Sequence, residues 1–207
     1  MHARNLLPLF FLGAAKLSVA SPLLATEKRA ASSEISAAGV IEVIMPSSVS
    51  CDGRGDECRT AAQASDFFIT AFSGFTFPEM AAMLALVAVE SVEMQYRHNV
   101  SPGRPGQGTS NMMMPNFVAM YATDVLGANA VAGKDPAAIL DLVKPDQYNF
   151  GSAPWFLKTQ CGPDVRAALQ ANPDTGFAAY MRCVGVDAQD TNRQAYWKRA
   201  KAGFQLA

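Results

Sequence analysis

The feature that most limits how this chain can fold is an apolar segment without any charged side chain. It covers residues 80–89 and is followed by Glu90 and Glu93. A helix that is apolar on all sides is normally buried in a core or a membrane. A membrane span needs about 20 apolar residues, and the two glutamates interrupt this one. We therefore expect a buried core helix over residues 78–96, with Pro78 in its first turn.

Periodic apolar residues and helix-ending residues predict further helices along most of the chain. Strand signals are weak outside residues 39–45, and 50% of the 207 residues are hydrophobic, which is enough for a substantial core. The predicted fold class is mainly α, in a single domain over residues 51–207. Helices are expected at residues 57–72, 78–96, 115–126, 136–143, 151–160, 165–170, 176–184 and 191–204.

Two segments outside these helices carry expectations of their own. Residues 30–50 are interpreted as the remnant of a pro-segment or as a short extended strand leading into the domain, and Asp56 as the cap of the first helix. Residues 99–111 are rich in Gly and Pro and form a loop after the core helix. Long loops of this kind are often functional.

The N-terminal residues indicate export from the cell. Residues 1–20 have the pattern of a signal peptide, with Arg4, a short apolar stretch and the small residues Ser18-Val19-Ala20 before the cleavage point. An amphipathic transit peptide is the alternative. Lys28-Arg29 is typical of a processing site, which makes residues 21–29 a propeptide, or it is an ordinary charged pair in a linker. We expect a secreted, extracellular protein.

Four cysteines after this segment agree with that location. Cys51, Cys58, Cys161 and Cys183 form an even set, which in a secreted protein predicts two disulfides. Three pairings are possible, and proximity in the sequence favours Cys51 with Cys58 and Cys161 with Cys183. The spacings are unlike those of a metal site, so we expect no metal ion and no cofactor.

The charge balance restricts the partners. The formal net charge is −1, from 17 basic and 18 acidic residues. Phosphate backbones and anionic membranes attract proteins through an excess of positive charge. We therefore expect neither a nucleic acid nor a membrane as the main partner, and we expect the protein to act as a monomer.

Glu90 is the residue that most suggests a chemical role. Its carboxyl group follows the apolar segment, and a carboxyl that starts from the buried body of a protein tends to keep its proton. A protonated carboxyl is the general acid that cleavage of a glycosidic bond needs. Ser91 is placed to orient that carboxyl or a water molecule. The alternative is that Glu90 reaches solvent and pairs with Arg97 or a similar cation.

The sequence around this helix resembles the lysozyme-like superfamily, in particular soluble lytic transglycosylases and goose-type lysozymes. The resemblance is carried by Glu90-Ser91, the glycine-rich residues 106–111, the methionines at 112–114 and Pro115. Residues 151–160 resemble a later helix that closes the glycan cleft. The motifs at residues 51–58, 102–109 and 150–157 are similar to a group of small secreted fungal proteins without a settled activity.

That resemblance implies a lysozyme-like fold and a role for each matching residue. Glu90 takes the place of the catalytic acid, with Ser91 beside it. The loop residues Gln107, Gly108 and Asn111 take the place of the segment that lines the cleft. Met112 stands where the family has a glutamine, and Gln107 is the residue that would replace it.

Aromatic and acidic residues complete the predicted site. Tyr121, Tyr148 and Trp155 are expected to stack on sugar rings, with packing in the core as the alternative. A second carboxylate separates the mechanisms of glycoside hydrolysis, although the lytic transglycosylases work with a single glutamate. Three residues are candidates for it: Glu93, Asp124 and Asp146.

Two hypotheses from different classes follow. The leading one is a secreted glycoside hydrolase or lytic transglycosylase-like enzyme whose partner is a cell-wall polysaccharide. It would cleave a β-1,4-linked amino-sugar polymer such as peptidoglycan or a chitin-like material. The second is a non-catalytic secreted protein that binds a glycan or a host protein on the same scaffold, which Met112 favours. Fold analogy alone does not establish chemistry.

Overall fold

The computed structural model describes residues 36–207. Within that range the chain is mainly α-helical, as predicted, and β pairing is limited to two isolated bridges, His98 with Gly108 and Gly108 with Met113. The predicted signal peptide, its cleavage point and Lys28-Arg29 lie outside the described residues. The helices are α1 Ala37–Ile44, α2 Ala61–Ala71, α3 Phe77–Glu90, α4 Pro115–Leu126, α5 Ala128–Val131, α6 Pro136–Val143, α7 Asp146–Asn149, α8 Ser152–Thr159, α9 Pro163–Ala171, α10 Pro173–Cys183 and α11 Thr191–Gly203.

Helix α3 forms the centre of the fold. Every residue at positions 81–88 is at most 2% exposed, which confirms the predicted core helix. Pro78 lies in its first turn, and Thr76 and Glu79 form a capping box at its start. Because α1, α8, α9, α10 and α11 all pack against it, its apolar surface is covered on nearly every side.

Helix α3 ends at Glu90, before the predicted end at residue 96. Residues 92–94 follow with φ values between 53° and 63°, and this left-handed conformation reverses the coiling of the chain. Ser91 stabilises the reversal, because its hydroxyl donates to the carbonyl of Val87 at 2.6 Å and accepts from the amide of Met94 at 2.8 Å. The sequence contains no glycine or proline here that predicts such an ending.

The N-terminal part of the described chain corrects two expectations. Residues 37–44 form helix α1 instead of an extended strand, with the Ser36 hydroxyl accepting from the Gly39 amide. Ile41 and Ile44 are buried in the core, and α1 packs on α2, α3 and α11. Within the described residues, α1 therefore belongs to the same compact unit as the helices that follow, and it precedes the predicted start at Cys51. The β-branched residues of α1 have strand propensity, which burial on one helix face overrides.

The start of α2 also differs from the prediction. Asp56 lies in a 3-10 turn, and the helix is capped by Thr60. The Thr60 hydroxyl accepts from the Gln63 amide at 3.2 Å, and the Gln63 side chain accepts from the Thr60 amide at 2.9 Å. This reciprocal pair satisfies donors that a lone aspartate further upstream cannot reach.

Two disulfides close the loops that flank this core. They join Cys51 to Cys58 and Cys161 to Cys183, which confirms the pairing that proximity favoured. The first closes the loop that precedes α2, and the second joins the residues after α8 to the last residue of α10. Among residues 36–207, no helix has both the length and the apolar character needed to cross a bilayer.

Candidate functional site

A cavity lies at the C-terminal end of α3, where the chain leaves the core. We call it the Glu90 cavity, and its volume is about 240 Å³. It brings together four predicted site residues, Glu90, Gln107, Asn111 and Met112. Apolar side chains make up most of the remaining wall. These further lining residues are Leu86, Met113, Met114, Phe117, Phe156, Val184, Gly185 and Val186.

Glu90 is held in this cavity by an ion pair. A guanidinium nitrogen of Arg193, in the first turn of α11, donates to one carboxylate oxygen at 2.6 Å. The Glu90 side chain is 21% exposed and that of Arg193 is 13% exposed. The expected alternative partner, Arg97, instead bonds the carbonyl of Lys144 and lies 3.4 Å from Asp146. Glu90 therefore has both features that the sequence left as alternatives, a cavity beside it and a cation against it.

The interior behind Glu90 contains two further polar groups. The hydroxyl of Tyr180 and the Nη1 atom of Arg193 are buried, and neither has a hydrogen-bond partner within residues 36–207. Burial, and to a lesser extent the charge of Glu90, raises the pKa of Tyr180. The protein interior near Glu90 thus contains a neutral hydroxyl and one guanidinium nitrogen, neither of which lines the cavity.

Ser91 does not contact the Glu90 carboxyl. It is completely buried, and both of its side-chain hydrogen bonds are with backbone groups at the end of α3. Ser91 therefore stabilises the end of α3, where its hydroxyl fixes the direction in which the chain continues.

The loop after α3 forms one wall of the cavity through a chain of amide contacts. Asn99 donates to the side-chain oxygen of Gln107 at 2.7 Å, and the Gln107 amide donates to the carbonyl of Met112 at 3.2 Å. Asn111 is 7% exposed and accepts from the hydroxyls of Thr109 and Ser152. Both amide side chains thus maintain the shape of the wall that they form.

Gly108 supports this wall without lining the cavity. A Cβ at this position would lie within 2.8 Å of the Arg97 carbonyl and close to the Leu140 side chain. The absence of a side chain therefore lets the loop pack against Leu140 of α6, and permits the bridges to His98 and Met113.

The predicted aromatic residues lie in a different place. Tyr121, Tyr148 and Trp155 line a second cavity of about 570 Å³, which shares no lining residue with the Glu90 cavity. Tyr121 is 2% exposed and donates to the carbonyl of Tyr148 at 2.7 Å. The structure therefore does not bring these residues to Glu90, because α4 and α8 present different faces to the two cavities.

None of the three candidates for a second carboxylate lines the Glu90 cavity. Glu93 is 7% exposed and accepts from the hydroxyl of Tyr196 at 2.6 Å. Asp124 accepts from the indole of Trp155, and Asp146 from Arg59, each at 2.8 Å. All three carboxylates are engaged in contacts with other segments of the protein, and among the described residues Glu90 is the sole acidic residue that lines the cavity.

Sequence reasoning missed Arg193 and the turn at residues 184–186. Arg193 is 103 positions from Glu90 and lies in a helix whose sequence reads as a charged surface segment. Its only local signal is Asp190, which caps α11 and accepts from the Arg193 amide at 3.0 Å. That cap fixes where the helix starts, but the partner of the Arg193 side chain depends on how α11 packs against α3.

Comparison with known proteins gives limited information about this site. The chain matches no protein-family model. It is 46% identical over 158 residues to a protein named bifunctional dioxygenase (DOX)-epoxy alcohol synthase (EAS) from Fusarium oxysporum (strain Fo5176). The match covers 70% of this chain and 12% of that protein. The chain thus spans about an eighth of the relative. The two activities in the relative's name describe that longer protein.

Proposed function

We propose that this protein is a secreted enzyme of lysozyme-like fold that cleaves a β-1,4-linked amino-sugar polymer, with Glu90 as its acid and base. The observation that carries the proposal is the Glu90 cavity. It gathers a carboxylate and two amide side chains from separate parts of the sequence, Glu90, Gln107 and Asn111, in one recess. The two disulfides are compatible with an extracellular location.

The proposed reaction needs one carboxyl group. Glu90 donates a proton to the glycosidic oxygen while the bond from that oxygen to the anomeric carbon breaks, and the bonding electrons leave with the oxygen. Water, or a hydroxyl of the same sugar as in lytic transglycosylases, then attacks the anomeric carbon. The attacking hydroxyl gives its proton to the Glu90 carboxylate, which restores the acid. A single acidic residue in the cavity is sufficient for this sequence.

The ion pair with Arg193 sets a condition on the reaction. A guanidinium nitrogen of Arg193 lies 2.6 Å from one Glu90 carboxylate oxygen, so this oxygen is occupied and is not free to meet a glycosidic oxygen. The substrate must therefore weaken this contact when it binds. A hydroxyl or acetamido group of the glycan that bonds Glu90 would compete with Arg193 for its carboxylate oxygen.

The same ion pair favours a second candidate function. If Arg193 stays bound to Glu90 after the ligand binds, the cavity is a recognition site without turnover. The protein is then a secreted binder of glycan or of a host protein. Met112, which stands in the cavity wall where the resembling family has a glutamine, supports this alternative.

Replacement of Glu90 separates the two functions. The wild-type protein, Glu90→Gln and the control Glu42→Gln are compared in the clearing of bacterial cell-wall suspensions and in the cleavage of N-acetylglucosamine oligomers. Glu42 is an exposed residue of α1 that lines neither cavity. We expect Glu90→Gln to lose at least about 100-fold in rate, the usual share of a general acid, while Glu42→Gln keeps the wild-type rate.

Binding measurements on insoluble peptidoglycan and chitin complete the comparison. A wild-type protein that binds these polymers without cleaving them supports the second function and rejects the first. Cleavage that persists in Glu90→Gln contradicts the role of Glu90. A protein that neither binds nor cleaves either polymer contradicts both functions for these glycans.

A further inference from the structure

The cavity that contains Tyr121, Tyr148 and Trp155 is separate from the Glu90 cavity, and we call it the Trp155 pocket. It lies between α2, α4, α7 and α8 and has a volume of about 570 Å³. Pockets that hold a small ligand usually measure about 300–1,000 Å³. The Trp155 pocket is within that range, whereas the Glu90 cavity, at about 240 Å³, is below it.

Aromatic rings form the floor of the Trp155 pocket. Five of them line it, and four are half-buried while Tyr121 is buried. Half-buried rings that line a cavity keep part of their surface accessible, and a ligand can pack against that surface. The five residues are Phe67, Phe75, Tyr121, Tyr148 and Trp155.

Hydrogen bonds hold the central rings in fixed orientations. The indole nitrogen of Trp155 donates to Asp124 at 2.8 Å, and the Tyr121 hydroxyl donates to the Tyr148 carbonyl at 2.7 Å. The ring centroids of Tyr121 and Trp155 are 5.2 Å apart. Gly151 permits this arrangement, since a Cβ there would lie 2.8 Å from the Tyr121 hydroxyl oxygen. The rings are therefore already in place before a ligand binds, which lowers the entropic cost of binding.

The rim of the pocket is polar. Ser73, Gln147 and Lys158 are exposed and line the cavity. Among the described residues, none of their side chains takes part in a hydrogen bond within the protein. They supply a hydroxyl, an amide and an ammonium group that are available to a ligand.

We propose that the Trp155 pocket is a second binding site that holds pyranose rings of an amino-sugar glycan away from Glu90; the choice of this ligand rests on the proposed function. A pyranose ring has C–H groups on its faces, which stack on aromatic rings, and hydroxyl and acetamido groups around its edge. The floor and rim of the pocket match these two parts. A purely apolar ligand such as an acyl chain would use the floor but leave the polar rim without a partner.

Aromatic side chains in mutual contact separate the two cavities. The Trp155 and Phe156 centroids lie 6.2 Å apart, and those of Phe156 and Phe117 lie 5.0 Å apart. Phe117 and Phe156 line the Glu90 cavity. The pocket is thus a separate site on the other side of a single aromatic layer, where it can retain the polymer while the bond beside Glu90 is broken.

The two tryptophans of the chain allow a direct test. Trp155 is half-buried in the pocket, and Trp197 is 2% exposed and lines neither cavity. Their indole N–H signals are followed by NMR while a tetramer of N-acetylglucosamine is added to the Glu90→Gln variant, which excludes cleavage. We expect the Trp155 signal to shift and saturate while the Trp197 signal stays in place.

Matched tyrosine variants locate the binding. Tyr148→Ala removes a pocket ring but keeps the backbone carbonyl that Tyr121 uses, and Tyr96→Ala removes a half-buried ring outside both cavities. We expect Tyr148→Ala to weaken binding about tenfold, with no change for Tyr96→Ala. Thermal unfolding of each variant verifies that it is folded; if Tyr148→Ala does not fold, Gln147→Ala and Lys158→Ala at the rim take its place.

The outcomes distinguish this inference from the proposed function. Cleavage by the wild-type protein together with an unchanged Trp155 signal overturns the second site alone. A saturable Trp155 shift in a protein that does not cleave glycans supports the second site and overturns only the catalytic proposal. A Trp155 shift with lauric acid but not with the tetramer overturns the assignment of a sugar as the ligand.

Discussion

The two ends of α3 each carry a glutamate, and the two side chains have very different surroundings. Glu79 is completely buried. One of its oxygens accepts from Arg166 and Gln170, and the other accepts twice from Thr76. Glu90 is partly exposed, has one partner and faces a cavity. A carboxylate with four donors has no capacity left for a ligand, whereas one with a single donor does.

The electrostatics of Glu79 agree with a structural role. Burial on its own would raise the pKa of Glu79, but the hydrogen bonds from Arg166, Thr76 and Gln170 together outweigh it and lower the pKa. The charged form is therefore the stable one in the folded protein. What distinguishes the two glutamates is the number of donors around each carboxylate, and not their similar position at the edge of an apolar segment.

Loss of Glu79 is expected to have the largest effect on stability. Glu79→Ala leaves the Arg166 guanidinium without its carboxylate and removes the capping box of α3, which together cost about 3 kcal/mol or more. Chemical denaturation of the variant and the wild-type protein measures this difference. A loss below about 1 kcal/mol would mean that the Glu79 contacts contribute little and would remove the basis of the comparison.

The acid dependence of stability is expected to show a smaller effect of the same residue. A lowered pKa in the folded state stabilises the protein above the unfolded value, near 4.5, and this contribution is lost as the pH falls through the folded value. Denaturation curves of the wild-type protein should therefore show a loss of stability below about pH 4.5 that is weaker in Glu79→Gln. Identical acid profiles for the two proteins would contradict the assigned charge state.

Removal of Arg193 comes next in size. Arg193→Gln breaks a partly buried ion pair and is expected to cost about 1–2 kcal/mol, less than Glu79→Ala because Glu90 can be hydrated from the cavity. A double-mutant cycle with Glu90→Gln isolates the energy of the pair. The same cycle for Glu79 and Arg166 gives the reference value. A coupling energy as large as that value would mean that the Glu90 ion pair is a structural contact of the same kind.

Glu90→Gln alone is expected to have the smallest effect on stability, below about 1 kcal/mol. The amide has nearly the same shape, can still accept from Arg193 through its oxygen, and remains in contact with solvent. Thermal unfolding beside the wild-type protein measures the change. A shift as large as that of Glu79→Ala would show that the cavity end of α3 is as tightly constrained as the buried end.

The sequence predicted the helical fold well where local signals coincide with helix ends. Helices α4 and α6 begin and end as expected, because proline starts each of them and glycine or proline follows. The end of α3 was missed, because residues 92–94 are left-handed without glycine. Helix α1 was missed because its β-branched residues suggest a strand, and its helical form depends on burial against α2, α3 and α11.

The same distinction applies to the candidate site. Glu90, Gln107, Asn111 and Met112 were predicted from local motifs and share one cavity. Arg193 was not found, because nothing in α11 marks it and its contact forms only through packing of distant helices. The predicted aromatic residues lie in a different cavity from Glu90, because sequence spacing does not show which face of α4 or α8 each ring occupies.

Comparison of turnover and stability in the same pair of variants tests the central claim most directly. Glycan cleavage and the free energy of unfolding are measured for Glu79→Gln and Glu90→Gln beside the wild-type protein. We expect Glu90→Gln to lose cleavage while its stability stays within about 1 kcal/mol, and Glu79→Gln to lose stability while the folded fraction still cleaves. A Glu90→Gln protein that is stable and cleaves at the wild-type rate would contradict a catalytic role for Glu90.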